Sequence, residues 1–458
     1  MIKLYNSLTR RKEEFIPLGT EVKMYVCGVT VYDDSHLGHA LSSIVFDVLS
    51  RYLEYRGFTV RKVQNFTDVD DKIINRANAD GVPWEQITAK YIESFFKSAD
   101  ALNVRRASVH PKATEDMPEI IDLIERLIAC GDAYTLDGSV YYRVRSRTDY
   151  GKLSGQNIDQ MLETSRGEIE SRKEDPADFA LWKAVKPEEP NWDSPWGAGR
   201  PGWHIECSAM AFKHLGEQID IHGGGLDLIF PHHENEIAQS ESASGKVPFS
   251  KIWMHNGLLR IADGQEMSKS LGNAFNVSSA LERFSSDAIR LWILQSHYRT
   301  NPLLDTKLIE VAERSMRRMR QSIEAADICE NDSSAQLDVS VFKRRFEQAM
   351  DDDLNTPQAL AAIFDLCRKM NRASTDGIDV SAAALLAREL VDVLGFTLEA
   401  KPQTSVGLSE IEIVELVKRR KQARAEKRWD DADAIRDKLE GAGIAIKDSG
   451  DETNWSRS

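Results

Sequence analysis

The stretch MYVCGVTVYDDSHLGH, residues 24–39, predicts a strand, a polar turn and the start of a helix. Residues 24–26 form an apolar run, the turn falls at residues 33–35, and helix-like periodicity follows over residues 37–56. A strand-like run at residues 58–63 completes a β-loop-α-β pattern. This pattern is typical of one half of a nucleotide-binding α/β sheet.

The rest of the chain predicts that an insertion splits this α/β domain and that helices follow it. Between about residues 110 and 200, a helical run at 120–128, alternation at 140–144 and a Gly/Pro/Trp-rich loop break the first pattern. A strand at residues 218–221 and a polar helix from His232 restore it. Further helices are predicted at residues 314–320, 342–350, 357–371 and 381–394. A Pro/Ser/Thr/Gly linker at 401–407 precedes a last module with helices at 410–428 and 431–440 and a strand-like run at 444–447.

Composition indicates an ordinary globular protein of several domains. The chain has 458 residues, 41% hydrophobic and 29% charged, with no signal-like N-terminus and no run of about 18 apolar residues. We therefore expect a cytoplasmic location and no membrane partner. The net charge of −14 opposes indiscriminate coating of nucleic acid, so any RNA contact should use local basic patches. Five scattered cysteines favour reduced thiols or metal ligands over a disulfide framework.

Two short motifs point to nucleotide chemistry. His36 and His39 lie three residues apart at a predicted helix start, where free N–H groups attract phosphate, and Gly38 lets a nucleotide approach the backbone. Taken alone, the pattern also fits two ordinary histidines at a helix start. About 230 residues later, Lys269 of Met-Ser-Lys-Ser offers a mobile ammonium to charge that builds on phosphates. The two motifs in this order favour the nucleotide interpretation.

Four further residues are candidate metal ligands. Cys27 ends the first strand, Cys207 lies in Trp-His-Ile-Glu-Cys, and His232 and Glu236 share one helical face at i, i+4 spacing. Each has an alternative interpretation. A buried cysteine is usually a small apolar residue, and a helical His/Glu pair is usually solvated and hydrogen-bonded.

These motifs resemble those of a known family. HLGH is similar to the HIGH motif of class I aminoacyl-tRNA synthetases, and MSKS is similar to their KMSKS motif. The blocks MYVCGVTVYDDSHLGH, PGWHIECSAM and HGGGLDLIFPHHENE closely resemble those of cysteinyl-tRNA synthetases. The resemblance implies a Rossmann-like catalytic domain that activates cysteine with ATP and Mg²⁺ and transfers it to tRNA(Cys), and we expect a monomer.

The resemblance also implies roles for individual residues. Catalysis would use His36, His39 and Lys269. One zinc ion per chain would be held by Cys27, Cys207, His232 and Glu236. The ATP site would comprise Gly38, His222, Gly223, Gly224, Gly225, Asp227 and Lys269, and the cysteine pocket would comprise Thr30, Thr67 and Trp203. On sequence alone, Thr67 is also a candidate helix N-cap and Trp203 a loop aromatic that covers core.

The implied domain order follows the predicted elements. It comprises a catalytic first half (1–110), an insertion (111–200), a catalytic second half (201–300), a stem-contact linking region (301–345), a helical bundle (346–400) and a C-terminal anticodon-binding module (401–458). Basic residues that could contact RNA are Arg314, Arg317, Arg318 and Arg320 in the helical half, and Lys418, Arg419, Arg420, Lys421, Arg424, Lys427 and Arg428 beside Trp429 in the last module. The alternative for each is a solvated helix face.

Two departures from the family pattern bear on activity. Glu266 stands where the family motif usually has its first lysine, and Ala40 and Leu41 follow HLGH where many relatives carry arginine and threonine. Activity is still expected because Lys269 matches the main catalytic lysine. Two rival functions stay open at this point: a relative that passes cysteine to a small amine, as in mycothiol synthesis, and a non-catalytic paralogue.

Overall fold

The computed structural model describes residues 1–159, 172–260, 275–327, 336–399 and 410–426, and residues 428, 431–432, 435–436, 439, 444–449 and 452–457. The chain forms two compact units, Met1–Leu398 and Glu399–Ser458. Within the described residues, no helix is long and apolar enough to cross a membrane.

The first unit is built around a parallel sheet, which confirms the predicted α/β class. Its elements up to the insertion are β1 (Lys3–Asn6), β2 (Arg11–Glu14), β3 (Glu21–Thr30), α1 (Leu37–Tyr55), β4 (Thr59–Thr67), α2 (Asp71–Asp80) and α3 (Trp84–Ala101). The insertion contains α4 (Met117–Ala129), β5 (Ala133–Leu136), β6 (Ser139–Tyr142), β7 (Phe179–Ala184) and β8 (Gly199–Pro201). The chain then returns through α5 (Trp203–Leu215), β9 (Ile219–Gly225), α6 (Glu234–Ser244) and β10 (Ser250–Asn256).

The split of the domain explains the strand order. The parallel sheet runs β10-β9-β3-β4, so two strands from before the insertion pair with two from after it. The insertion forms its own antiparallel sheet, β5-β6-β7-β8. Parallel strands need long crossover connections, and a whole subdomain can occupy one of them without disturbing strand pairing.

Strand β3 is central and closely packed. Its residues Met24, Tyr25 and Val26 are buried, as expected for a parallel strand covered on both faces. The pairing with β4 shifts register between Val26 and Val29. At Gly28 within this shift, an added Cβ would lie 1.6 Å from the Asn65 carbonyl oxygen, so only glycine fits.

The helical half completes the first unit. It contains α7 (Val277–Arg283), α8 (Ser286–Leu294), α9 (Thr306–Asp327), α10 (Ser340–Asp351), α11 (Thr356–Thr375) and α12 (Ser381–Val393), which confirms the helices predicted in this part. Buried residues of these helices join one apolar core with the sheet and α1. The second unit has helix α13 (Glu410–Ala425) and an antiparallel hairpin of β11 (Ile444–Ser449) and β12 (Glu452–Arg457), with Ile413, Leu416, Leu439 and Ile444 in its core.

A buried ion pair joins the sheet half to the helical half. Asp47 on α1 accepts hydrogen bonds from Arg51 Nε at 2.9 Å and from Arg290 Nη2 at 2.6 Å. The Arg290 side chain is fully buried and also donates to the carbonyl oxygens of Leu102 and Leu394. Burial opposes ionisation of Asp47, but Arg290 and Arg51 outweigh it and lower the pKa of this carboxyl. One guanidinium therefore connects α1, the end of α3 and the end of α12.

Asp47→Asn should destabilise the first unit by about 3–5 kcal/mol, because it leaves buried guanidinium groups without their counter-charge. The measurement is urea unfolding of the full chain followed by fluorescence. The matched control is Asp100→Asn, whose pair with Arg106 is half exposed at both ends, so its loss should change the unfolding midpoint little. Equal midpoints for both variants would contradict a structural role for the buried pair.

Candidate active site and metal centre

The N-terminus of α1 carries the first pair of predicted residues. His36 is the N-cap, and its Nδ1 accepts hydrogen bonds from the backbone N–H groups of Gly38 and His39 at 3.1 and 3.3 Å. The rings of His36 and His39 stack with centroids 3.8 Å apart. Because Nδ1 of His36 acts as an acceptor, a neutral His36 carries its proton on Nε2, where it can donate to a ligand.

The four predicted metal ligands come together. Their candidate donor atoms, on Cys27, Cys207, His232 and Glu236, all lie within 4.8 Å of one another. The Cys27 and Cys207 sulfurs are 3.9 Å apart, and His232 Nε2 lies 3.0 Å from Glu236 Oε1. The residues come from β3, α5 and α6 and from the turn Ile229–His233 before α6.

The electrostatics of this group fit a cation. Burial raises the pKa of the Cys27 thiol, whereas a hydrogen bond from Cys27 lowers the pKa of Cys207. Burial opposes the charged forms of His232 and Glu236. Attraction to Glu236 and Cys207 outweighs burial at His232 and raises its pKa to about 10, while attraction to His222 and His232 holds the pKa of Glu236 well below its usual range.

The distances within the group also fit a metal ion. Bonds of about 2.0–2.3 Å place the donors of a tetrahedral site about 3.3–3.8 Å apart, close to the separations seen here. The carboxylate of Glu236 is fully buried within this group. A buried carboxylate beside two thiols and an imidazole is an environment that a divalent cation would stabilise.

Three more histidines surround the same group. His222 Nε2 lies 3.5 Å from the Cys27 sulfur and 3.4 Å from Glu236 Oε2. His233 Nε2 lies 3.3 Å from the Cys27 sulfur, and its Nδ1 lies 2.8 Å from His255 Nε2. Cys27, His222, His233 and Glu236 therefore form a second group that could hold a metal ion.

His222 thus faces the metal candidates. Its ring is fully buried and stacks on Trp253 at 4.4 Å between centroids. Its expected part in holding the nucleotide stays a prediction. The expected roles of Asp227 and of the glycine triplet in the nucleotide site also stay predictions. An added Cβ would clash with Phe46 at Gly223 and with His233 at Gly224.

His204 supports the His232 ring from outside the group. The two Nδ1 atoms are 2.9 Å apart, while Nε2 of His232 points at Glu236. Burial lowers the pKa of His204 well below its usual value, so its ring is neutral and can accept the His232 Nδ1 proton. Metal-binding histidines commonly donate their second nitrogen in this way, which fixes the ring orientation.

The expected cysteine pocket adjoins the metal candidates. Trp203 is 38% exposed and stacks on His232 with centroids 4.3 Å apart. Thr30 and Thr67 are paired partners at the carboxyl ends of β3 and β4. Glu206, one residue before Cys207, is buried nearby, and burial raises the pKa of its carboxyl well above its usual range.

Sequence reasoning missed His204, Glu206, His233 and His255 as parts of the site. The first two flank Cys207 within the motif WHIEC, and His233 follows His232, so adjacency to predicted ligands was the available signal. Lys269 and Glu266 lie outside the described residues. Among the basic residues, Arg314, Arg317 and Arg318 are exposed on α9, Arg420 is buried in α13, and Lys427 and Trp429 lie outside the described residues.

Family comparisons match almost the whole chain. A model described as tRNA synthetases class I (C) catalytic domain matches residues 15–314. A DALR domain matches residues 345–399, and a cysteinyl-tRNA ligase anticodon binding domain matches residues 411–455.

Individual relatives agree over their full lengths. A cysteine–tRNA ligase of Dehalococcoides mccartyi is 48% identical and covers 99% of both chains. One of Caldicellulosiruptor saccharolyticus is 48% identical with 100% coverage of both, and one of Thermodesulfovibrio yellowstonii is 45% identical with 99% coverage of both.

Solved structures support the fold alone. A Mycobacterium tuberculosis methionyl-tRNA synthetase in complex with methionyl-adenylate superposes with a TM-score of 0.60 at 15% identity, covering 83% of this chain and 88% of its own. A ternary complex of Agrobacterium radiobacter LeuRS gives a TM-score of 0.60 at 11% identity, covering 83% and 84%.

His204→Phe should weaken metal binding by about 10–100-fold, the usual cost of losing a group that orients a histidine ligand. The measurement is competition for the metal against a chromophoric chelator. His214→Phe is the matched control, because it removes a histidine from the same helix whose partner is Asp116 instead. Unchanged affinity in His204→Phe would exclude an orienting role.

Proposed function

Because the chain belongs to the cysteine–tRNA ligase family, we propose that its buried Cys/His/Glu group reads the thiol of cysteine and that the N-terminus of α1 binds ATP. The enzyme is a ligase that activates cysteine with ATP and charges tRNA(Cys). ATP is used together with Mg²⁺. The observation that supports recognition of the thiol is that Cys27, Cys207, His232 and Glu236 lie close together.

Zinc is the metal we propose for the four ligands. Two thiolates, an imidazole and a carboxylate are a donor set that zinc favours. When bound, zinc prefers sulfur to oxygen and lowers the pKa of a bound thiol. Cys27 and Cys207 supply the soft donors, Glu236 supplies negative charge, and His204 orients His232. Trp203 lies over His232 at the mouth of this site and can exclude water from it.

The nucleotide residues are proposed to act at the opposite end of the cysteine. His36 caps the helix through Nδ1, and its Nε2 is proposed to donate to the α-phosphate, beside His39. Gly38 leaves the helix start open for phosphate approach, and Lys269 would neutralise charge that develops on pyrophosphate. Gly223, Gly224, Gly225, Asp227 and His222 are proposed for the adenosine side, and Thr30 and Thr67 for the amino acid.

The acceptor is tRNA, for which the anticodon binding domain at residues 411–455 gives support over a small amine. Exposed Lys418, Arg419 and Lys421 on α13 are the residues we propose to follow the RNA backbone. The six-part division of the chain, a monomeric state and a cytoplasmic location are kept as proposals.

The metal assignment predicts about one zinc per chain and its loss in Cys207→Ser, because the closed ligand set then has a single thiolate. The measurement is elemental analysis after dialysis. Cys367→Ser is the matched control, since Cys367 is a buried thiol in the core of α11. Equal zinc in both variants would overturn the assignment.

Serine should be rejected in ATP–pyrophosphate exchange by a factor near 10⁴, because the site reads the polar group itself, whereas pocket shape alone gives about 10–200-fold. The measurement compares kcat/KM for cysteine and serine in the same preparation. Comparable values would be inconsistent with thiol recognition by the buried group.

Ending the chain at Leu398 should separate activation from transfer. The first unit is compact up to that residue, so cysteine-dependent exchange should stay near normal. Aminoacylation at limiting tRNA should fall strongly, with a shallower salt dependence, because phosphate contacts of α13 are lost. Replacing Lys418, Arg419 and Lys421 with alanine in the full chain should also lower aminoacylation at limiting tRNA. Full charging by the shortened protein would show that the second unit does not serve tRNA binding.

A further inference from the structure

Strand β3 contains a β-bulge next to the metal candidates. Its pairing with β4 shifts register between Val26 and Val29, so Cys27 and Gly28 together face a single residue of β4, Asn65. Two residues opposite one define a bulge, which bends the strand and redirects the side chains that follow it. The bulge therefore begins at a proposed metal ligand.

The bulge changes which side chains of β3 lie on each face of the sheet. Before it, Met24 and Val26 belong to the apolar core around α1. Tyr25 and Cys27 face the other way, into the core that includes residues of α5. Strict alternation would place Val29 on the face of Cys27, but Val29 packs against the core around α1. The alternation therefore shifts by one residue at the bulge.

Thr30 consequently lies on the same face of the sheet as Cys27. It follows Val29, and successive side chains of a strand alternate between the two faces. Its partner Thr67 lies on that face too, because Phe66 before it belongs to the core around α1. Without the extra residue, Thr30 would face α1, away from the metal candidates and from Thr67.

The side chain of Asn65 holds the bulge in place. It is 1% exposed, and its Oδ1 accepts a hydrogen bond from the backbone N–H of Gly28 at 2.8 Å. This hydrogen bond replaces regular pairing, because the extra residue of a bulge is left out of the ladder between strands. Among the described residues, Nδ2 of the same amide has no hydrogen-bond partner. Burying an unpaired amide group is costly, so a function for Asn65 at this position is expected.

We propose that Asn65 is a positioning residue that holds the bulge at Cys27 and Gly28, so that the Cys27 thiol and the Thr30 and Thr67 side chains stay on one face of the sheet. This inference rests on the proposed function, because it needs the metal at Cys27 and the amino acid at the two threonines. One cysteine molecule has to reach both places, with its thiol at the metal candidates and its amino-acid end at the threonines. Asn65 acts on both through the backbone of Gly28.

Asn65→Ala removes the acceptor for the Gly28 N–H. The KM for cysteine in pyrophosphate exchange with excess zinc should rise by about 10–100-fold, because a displacement of about 1 Å at a positioning contact can cost that much. The KM for ATP should stay unchanged, because the proposed nucleotide contacts lie on α1 and β9. Zinc affinity, measured by competition with a chromophoric chelator, should fall by about 10–100-fold.

Asn65→Asp tests whether the acceptor is the group that matters. A side chain of the same length accepts from the Gly28 N–H whether the carboxyl is ionised or neutral, so the KM for cysteine and the zinc affinity should return close to wild type. Asn65→Gln keeps the amide but lengthens the side chain by one methylene, so it should resemble Asn65→Ala. A residue that only fills the core would not follow this order.

Asn355→Ala is the matched control. The Asn355 amide oxygen likewise accepts from a backbone N–H, that of Gln358 at 3.3 Å, but it does so at the start of α11 in the helical half. This substitution should leave the KM for cysteine and the zinc affinity unchanged.

Three results would overturn the proposal: equal rises in the KM for cysteine and for ATP, no change in cysteine KM and zinc affinity in Asn65→Ala, or an Asn65→Asp chain as impaired as Asn65→Ala. If Asn65→Ala does not fold, Asn65→Asp must keep the wild-type KM for cysteine and Asn65→Gln must raise it. Failure of the proposed function itself would appear differently, as wild-type protein without zinc or without cysteine-dependent pyrophosphate exchange.

Discussion

The site depends on a single constraint, which is that Cys27, Cys207, His232 and Glu236 are buried side by side. Burying ionisable groups is costly unless they are paired or bind a cation, so the chain must bring all four together in one geometry. The ligands lie on the central strand β3, on α5, in the turn before α6 and on α6 itself. The insertion between β4 and β9 is therefore tolerated only if β9 returns beside β3, as the strand order β10-β9-β3-β4 shows.

Much of this could be predicted from the sequence because the signals are local. The polar turn after β3 and the His-x-x-His spacing predicted a helix start at Leu37, where α1 begins. Likewise, Cys27 and the i, i+4 pair His232 and Glu236 were predicted as ligands and lie together, although β3 continues three residues beyond Cys27. Local periodicity also identified helices of the second half, and the bounds agree closely for α12, whereas α9 extends well beyond the predicted residues 314–320 at both ends.

The interactions that could not be predicted join residues far apart in sequence. Asp47 and Arg290 are 243 residues apart, and no periodicity relates them. The residues next to Cys207 on α5 were missed for another reason. His204 and Glu206 were visible beside Cys207, but their roles depend on which way α5 faces, and that is set by packing against β3 and β4. Arg420 shows the opposite error, because a run of basic residues suggested an exposed face while the helix turns this one inward.

Selectivity for cysteine requires more than a metal site, because many small thiols could bind one. The thiol distinguishes cysteine from serine, whereas the α-ammonium distinguishes cysteine from thiols that lack it. Helix α5 contributes twice to the expected site, since Cys207 belongs to the buried group and Trp203, one turn earlier, stacks on His232. Because both residues lie on one rigid helix, the distance between the buried group and the expected cysteine pocket is fixed, and a side chain of the wrong length cannot fit both at once.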